Sequence, residues 1–505
     1  MAHISDLPNE LLASCIEYCQ DEKSDIRALR LVSQRFHGLS SPYLITEFTV
    51  YLSEASFTHL YTLSTHQILR KYVTSLTINV SCYEATCADS LKEFTELASD
   101  QLRWFRAFKD KGEDTDEEED ATQEGWDHRL HIIDQWDQLL EESLANIPDI
   151  LHLLSEPKRI LYHAWIDYGR KYREQQALMG EDSGRRLIDM MERLSGLQTL
   201  LINEEGRAEG PIMVISEGGT SYISYPWLQG HFLRNLVEES TSNKYNSSIR
   251  MERSGQHPLP AMYIFRSLFG ALAVSSVTLQ EIIIEVPMPI HLRPFHLSAD
   301  EKNAIRKSVA SASTLSLAID GWFFENLRPS SEYTKLSPLI SSFFSSLKAR
   351  KMTIEFPTYF FGEMGLFSLS DIVDIRQVSR PTLQVLELIS VPVTFNDVGN
   401  LVDCVNVSLR VLYATFIVVG QAQWCDILDV LRKLERLESL GLVFRAGEGY
   451  GNDGVKKLRP IFNLPMELIE DYVMKRTDAN PLVGGRVVGK GPGNQWVHDE
   501  EVEAT

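Results

Sequence analysis

The chain has 505 residues, 44% of them hydrophobic, and a formal net charge of -21 at pH 7. This length and apolar content suffice for two or three domains or for one extended repeat array. The acidic balance argues against a protein that binds nucleic-acid backbones, because such proteins normally carry a basic face.

The sequence has no feature of a secretory or membrane-spanning protein. Met1 is not followed by the basic region and apolar stretch of a signal peptide, and no later run reaches the roughly 20 apolar residues of a membrane span. Six scattered cysteines are too few for a disulfide framework. We therefore expect a protein of the cytoplasm, the nucleus or both, with reduced cysteines.

The first 45 residues predict three short helices. Asp6 is a candidate N-cap and Pro8 falls in the first turn, so a helix should begin here. Its apolar stripe comprises Leu7, Leu11, Leu12, Cys15, Ile16 and Cys19. The second helix is predicted from Ile26, Leu29 and Val32, and the third from Phe36, Leu39 and Tyr43. Pro42 should distort or end the third helix.

So short a unit buries too little surface to be comfortably stable alone and is expected to dock on something. The order Leu7-Pro8, Leu11-Leu12, Ile16, Leu29-Arg30-Leu31-Val32-Ser33 and Phe36 resembles the F-box. This helical module joins substrate receptors to Skp–cullin–F-box ubiquitin ligases. The resemblance covers about residues 4 to 45.

The resemblance implies that eight residues lie in or beside the contact with the Skp adaptor: Leu7, Pro8, Leu11, Leu12, Ile16, Leu29, Val32 and Phe36. Cys19 departs from the family, in which leucine is usual at this position. The alternative is an ordinary N-terminal helical bundle, residues 1–45, that packs on the rest of the chain.

Beyond the helices, short strands recur. Phe48, Val50 and Leu52 alternate as in a strand, and Tyr72 to Val80 predicts a second strand. The motif apolar-x-x-apolar-x-apolar then begins at Leu197, Leu279, Leu383 and Leu437, with imperfect copies at Ile150, Ala312, Ala349 and Leu409. From Leu279 onward these first positions are about 26 to 37 residues apart.

These spacings are those of a strand-plus-helix repeat, in which each unit lays one strand beside its neighbours. The motif resembles the leucine-rich repeat, although the usual asparagine is missing after Leu388. We predict an α/β fold in which the three-helix module precedes an irregular solenoid over residues 46–475 with helical insertions. An unrelated α/β arrangement of similar buried strands is the alternative.

In a leucine-rich repeat, strand residues that point away from the buried ladder line the concave face. These would be Glu281, Ile283 and Glu285, then Val385, Glu387 and Ile389, then Val411, Tyr413 and Thr415. The candidates for substrate contact are Glu281, Glu285, Val385, Glu387, Val411 and Tyr413. Because many positions are apolar, they indicate either a partner surface or strands covered on both sides.

Insertions and a tail complete the chain. Residues 89–147 predict two amphipathic helices joined by an acidic loop at 112–124, where seven of the eight residues from Glu113 to Asp120 are acidic. Ile160 to Leu178 predicts a further helix. Residues 476–505 are Gly-rich and then acidic, and we expect this tail to be disordered.

The sequence contains no convincing catalytic or metal-binding motif. Gly489-Lys490-Gly491 lacks the lead-in and the hydroxyl residue of a phosphate-binding loop. Cys15 with Cys19, and His128 with His131, are one helical turn apart, but neither pair has further ligands nearby. We therefore expect a non-catalytic protein without a cofactor or metal.

Two hypotheses of function remain. In the first, the chain is a substrate receptor that binds the Skp adaptor, through it a cullin, and an unknown protein substrate on the repeat body. In the second, it is an interaction scaffold whose F-box-like segment acts outside a ubiquitin ligase. Neither hypothesis involves nucleic acid or a membrane.

Overall fold

The computed structural model describes residues 4, 7–19, 22–80, 83, 85–96, 156–179, 182–203, 260–287, 297–320, 336–356, 368–373, 381–418, 424–445, 466–481, 489–490 and 496–497. Most of the predicted insertion at 89–147, with its acidic loop at 112–124, lies outside these residues, as does the imperfect repeat at Ile150.

Three short helices form the N-terminus: α1 (Asn9–Glu17), α2 (Lys23–Val32) and α3 (Gln34–Ser40). Helix α1 begins later than the predicted N-cap at Asp6, because Pro8 takes the N-cap position and its carbonyl accepts a hydrogen bond from the Leu12 amide at 3.1 Å. The Ser33 side chain caps α3, and Pro42 lies in a 3-10 turn, Ser41–Tyr43, directly after it.

In the described part of the chain, the body forms a nine-stranded sheet in which every pairing is parallel. The strands are β1 (Glu47–Val50), β2 (Ser75–Asn79), β3 (Thr199–Asn203), β4 (Glu281–Pro287), β5 (Thr314–Asp320), β6 (Lys351–Glu355), β7 (Val385–Val393), β8 (Val411–Val418) and β9 (Ser439–Arg445). Their spatial order equals their chain order. The predicted α/β class is therefore confirmed as a parallel sheet with helical connections.

The described helices of the body lie in the connections between these strands, except the last helix, which follows β9. They are α4 (Glu54–Thr65), α5 (Ala85–Asp89), α6 (Glu156–Leu178), α7 (Asp182–Met191), α8 (Pro260–Leu272), α9 (Ala299–Val309), α10 (Ser337–Phe343), α11 (Leu369–Ile372), α12 (Phe395–Val405), α13 (Trp424–Leu431) and α14 (Met466–Val473). Helix α6 confirms the helix predicted from Ile160 to Leu178. A short antiparallel pair, β10 (Gly489–Lys490) and β11 (Trp496–Val497), falls within the predicted tail.

The apolar positions of the repeated motif form the core of the sheet. In β7 and the turn before it, Leu383, Leu386 and Leu388 are buried, and Leu386 is in register with Met352 on one side and Leu412 on the other. Each such side chain contributes about 1.5–3 kcal/mol on burial. The same cluster includes helix residues such as Phe269 and Val402, so the helices cover this face of the sheet.

The N-terminal helices have a core of their own. Leu12, Ile16, Ile26 and Phe36 form a buried cluster distinct from the large cluster of the body. Ile45, just past the 3-10 turn, already packs against the body core. The chain therefore passes from one core to the other within a few residues after α3.

The C-terminal end of the body is tied to α13. Arg432 donates hydrogen bonds to the carbonyls of Tyr472 and Thr477 at 3.0 and 2.5 Å, and its guanidinium lies 4.5 Å from the centre of the Tyr472 ring. Asn480 donates to Asp429 at 2.8 Å. Packing against the body thus extends beyond residue 475, where the sequence placed its end.

We expect Arg432→Met to loosen this end by about 3 kcal/mol, because each of the two hydrogen bonds from this charged donor contributes about 1.5–3 kcal/mol. Hydrogen exchange of residues 466–481 measures the effect. Arg476→Met is the matched control, since its pairs with Glu470 and Asp471 are exposed and should contribute under about 1 kcal/mol. Equal protection in the two variants would contradict the assigned role of Arg432.

Candidate functional site

Helix α1 presents a second apolar face besides the one in the module core, and α2 ends in exposed apolar residues. Pro8, Leu11, Cys15 and Tyr18 are three or four residues apart along α1 and are all exposed. Leu11 is 54% and Tyr18 is 95% exposed. At the end of α2, Leu31 and Val32 are 88% and 64% exposed. Together with Ile4, which is 60% exposed, these residues form what we term the exposed apolar set of the module.

The eight predicted adaptor residues fall into three groups in the structure. Pro8, Leu11 and Val32 are exposed. Leu7 and Leu29 are half-buried against the module core. Leu12, Ile16 and Phe36 are buried inside that core, so they can support a docking surface but do not form one. The exposed residues Tyr18 and Leu31 were not among the predicted residues.

Tyr18 and Leu31 could have been found from helix geometry alone. Tyr18 is seven residues after Leu11 and therefore two turns along the same face of α1. Leu31 directly precedes Val32 at the end of α2 and belongs to the segment on which the resemblance rests. A wide apolar stripe does not reveal which of its residues face the core. Only the structure therefore shows that Leu12 is buried and Leu11 is exposed.

Polar contacts fix the arrangement of the three helices. Arg35 of α3 donates to the Asn9 side chain at 2.8 Å and to the Leu7 carbonyl at 2.5 Å, which ties α3 to the start of α1. Arg30 contacts the His37 ring nitrogen at 2.9 Å. Lys23 donates to the Tyr43 carbonyl at 3.0 Å. The exposed apolar set is therefore held on a scaffold with defined geometry.

One face of the sheet is less buried than the opposite face, which the helices cover. The predicted concave residues of β4, β7 and β8 are all half-buried or exposed, and the residues that alternate with them are buried. We term this side the open face of the sheet; its members are Glu281, Ile283, Glu285, Val385, Glu387, Ile389, Val411, Tyr413 and Thr415. Purely parallel sheets are usually covered on both faces, so this face is the unusual one.

Register brings several of these residues side by side. Val385 pairs with Val411, and Glu387 pairs with Tyr413 on the neighbouring strand. Glu281 and Glu285 lie apart from them on β4, with β5 and β6 between. The six predicted substrate residues thus form two patches of the open face and are not one cluster.

Two glutamates of the open face are held by neighbours. Glu387 accepts a hydrogen bond from Thr353 at 2.7 Å and pairs with Lys351 at 2.9 Å. Glu281 accepts a hydrogen bond from Thr199 at 3.1 Å. These contacts fix the carboxylates in place, and they reduce the free negative charge of the face at β6 and β7.

Tyr413 is the most prominent aromatic residue of the open face. Half of the residue is exposed, and its ring lies over Gly441 of β9. A Cβ atom added at Gly441 would lie 2.4 Å from the Tyr413 Cδ1 atom, so only glycine leaves room for the ring there. Glycine at this position therefore allows the Tyr413 ring to lie against β9.

Titratable groups with shifted pKa values lie away from both surfaces. The Arg186 guanidinium, hydrogen-bonded to Glu54, lowers the pKa of that carboxyl. Burial is the main cause of the raised pKa of Cys425 and of Tyr472, and nearby Asp429 contributes to both. The Glu54–Arg186 and Asp429–Tyr472 contacts each join two helices of the body.

Within the described ranges, no group of three or more His, Cys, Asp or Glu residues is placed to hold a metal ion. Among the helices described in the structure, none has the length and apolar character needed to cross a bilayer.

No family model matches the chain, and no curated protein matches it significantly.

Proposed function

We propose that the chain is the non-catalytic substrate-recognition subunit of a Skp–cullin–F-box ubiquitin ligase. In this proposal the N-terminal helices dock on the Skp adaptor, and the open face of the sheet body holds a protein substrate. The observation that carries the proposal is the exposed apolar set of the module, which remains exposed although the module has its own filled core.

A protein partner best accounts for this apolar set. Single exposed apolar residues are normal on protein surfaces, but several large ones on a unit of about forty residues indicate an interaction site. Three residues that the F-box resemblance assigns to the adaptor contact, Pro8, Leu11 and Val32, belong to the exposed faces of α1 and α2. Leu12, Ile16 and Phe36 then contribute indirectly, because they fix the positions of the helices that carry the exposed residues.

The body supports the second half of the proposal. Strands that pair in chain order and bury a recurring apolar motif are typical of a leucine-rich-repeat-like solenoid. The open face, with Tyr413 and the glutamates of β4 and β7, offers a surface on which a substrate can lie. Holding a substrate near the ubiquitin-transfer machinery raises its effective concentration without new chemistry in this chain.

Co-purification with the Skp adaptor and cullin tests the proposal. We expect Leu11→Asp to weaken adaptor binding tenfold or more, since it places a charge in an apolar contact and a tenfold loss needs only about 1.4 kcal/mol. Val274→Asp is the matched control, because Val274 is as exposed as the residues of the apolar set but lies in the turn before β4. Both variants should keep the melting temperature of the parent chain.

The outcomes separate the hypotheses. Adaptor binding that is unchanged in Leu11→Asp would reject the proposed docking face. A complex that contains the adaptor but never the cullin would favour a scaffold that acts outside a ligase. A complex with both, lost in Leu11→Asp and kept in Val274→Asp, supports the receptor.

A further inference from the structure

Two turns at the rim of the sheet have the same pattern of exposed and buried side chains at their first, third and fourth positions. The turn before β6 is Leu347-Lys348-Ala349-Arg350, and the turn before β8 is Val407-Ser408-Leu409-Arg410. In each turn the first residue is an exposed apolar one, with Leu347 77% and Val407 52% exposed. The third residue is buried, and the arginine that follows is exposed.

Register fixes the distance between the two arginines. The Gln384 amide donates to the Arg350 carbonyl at 2.8 Å, and the Arg410 amide donates to the Gln384 carbonyl at 2.8 Å. Arg350, Gln384 and Arg410 are thus consecutive across three neighbouring strands. With strands about 4.8 Å apart, the backbones of the two arginines are about 10 Å apart.

Side-chain hydroxyl groups hold the first turn in place. Ser346 donates to the Ala312 carbonyl at 2.9 Å and also accepts from the Lys348 amide at 3.2 Å. Thr382, in the turn before β7, donates to the carbonyls of Ala349 and Leu347 at 2.9 and 3.1 Å. The spacing of the rim side chains is therefore a property of the folded sheet and not of a free loop.

The charge of these turns is opposite to that of the chain, whose formal net charge is -21. The two turns contain Lys348, Arg350 and Arg410 and no acidic residue. Within the described part of the chain, Lys348 and Arg350 form no side-chain ion pair or hydrogen bond. Arg410 pairs with Glu438 at 3.1 Å, but both side chains are at least half exposed, and such a pair is easily exchanged for another.

We propose that this basic rim, formed by Leu347, Lys348, Arg350, Val407 and Arg410, binds an acidic segment of a partner protein. Two carboxylates about 10 Å apart would pair with Arg350 and Arg410 through charge-assisted hydrogen bonds. Apolar side chains beside them would cover Leu347 and Val407. In a polyproline-type chain, residues three apart lie on the same side at about 9 Å, which matches this spacing.

The proposal goes beyond the adaptor and the open face, and it does not depend on them. The rim binds through arginine and exposed aliphatic groups, whereas the open face offers carboxylates and Tyr413. An acidic segment is therefore attracted to the rim and repelled by Glu281 and Glu285 of the open face.

Fluorescence anisotropy with two matched peptides tests the inference on the full chain. One labelled peptide contains Leu-Glu-Ser-Leu-Glu between Gly-Ser flanks, and the other has glutamine in place of both glutamates. We expect the acidic peptide to bind the parent chain at low ionic strength at least tenfold more tightly than the glutamine peptide. The difference should shrink as salt is added.

The double variant Arg350→Gln/Arg410→Gln should lose the preference for the acidic peptide. The control Arg159→Gln/Arg173→Gln removes two exposed arginines from α6, with the same change in net charge, and should keep the preference. All four substitutions are at exposed positions, and circular dichroism verifies that each chain is folded. No binding of the acidic peptide to the parent chain, or equal loss in both double variants, would overturn the proposal.

Discussion

Replacing Phe36 by alanine should unfold the N-terminal helices and leave the sheet body folded. Phe36 is one of four buried apolar residues in the described part of the module, and a phenylalanine-to-alanine change in a core costs about 3–5 kcal/mol. Four buried side chains contribute only about 6–12 kcal/mol before the loss of conformational entropy is subtracted. The module cannot absorb such a loss, whereas the body has a separate core.

Hydrogen exchange is the appropriate measurement, because it reports the module and the body separately. We expect residues 9–40 to lose protection in Phe36→Ala and strands β2 to β9 to keep it. The proposed adaptor binding should disappear as well, although Phe36 is not at the surface. Leu31→Ala is the control within the same module; Leu31 is almost fully exposed, so protection should stay as in the parent chain. Simultaneous loss of protection in the body would show that the two cores are not independent.

The second large effect is expected at Gly184, in the first turn of α7. A Cβ atom at this position would lie 2.4 Å from the backbone carbon of Ser267 and 2.7 Å from the backbone nitrogen of Leu268, both in α8. Backbone atoms cannot move aside as a side chain can, so α7 and α8 must separate. We expect Gly184→Ala to lower the free energy of unfolding by about 3 kcal/mol.

Gly270, in α8 itself, is the control position, because the same glycine-to-alanine change should not destabilise the body there. An added Cβ at Gly270 meets no atom within 4 Å. Because alanine favours the helix over glycine by about 1 kcal/mol, Gly270→Ala should stabilise the body or leave it unchanged. Urea denaturation of both variants measures the difference, and a Gly184→Ala chain as stable as Gly270→Ala would refute the close approach of the two helices.

The strands were predictable because their signal is local and repeated. Leu383, Leu386 and Leu388 occupy buried positions, and so do the weaker copies that begin at Ala312 and Ala349. A small residue at the first motif position is tolerated since this position lies in the tight turn before the strand. The parallel order of the strands follows from the same regularity once each copy pairs with the next.

The start of α1 was less predictable. Asp6 is the better capping residue, but the structure begins the helix after Pro8, whose fixed φ suits the N-cap carbonyl geometry and whose missing amide costs nothing there. Capping preferences are local and weak, and the placement of a first turn depends on how Leu12 and Ile16 reach the core.

The rim arginines could not be predicted, because Arg350 and Arg410 are distant in sequence and unremarkable singly. Only strand register brings them about 10 Å apart and reveals that Leu347 and Val407 repeat beside them. In the same way, a stripe that includes Leu11 and Leu12 predicts a helix but not which of the two faces solvent. The local sequence pattern therefore predicts the helices and strands, whereas the register between distant strands determines which side chains meet at the surface.

The sequential order of the sheet also bears on how much chain can be placed between two strands. The connection from Asn79 to Thr199 is roughly seven times longer than that from Val393 to Val411, yet both join adjacent parallel strands. If both connections were fully flexible, closing the longer one would cost only about 2 kcal/mol more, since each doubling of length costs about 0.6 kcal/mol. The entropy of loop closure therefore hardly penalises long insertions, and this architecture can gain or lose whole segments between strands while its core stays the same.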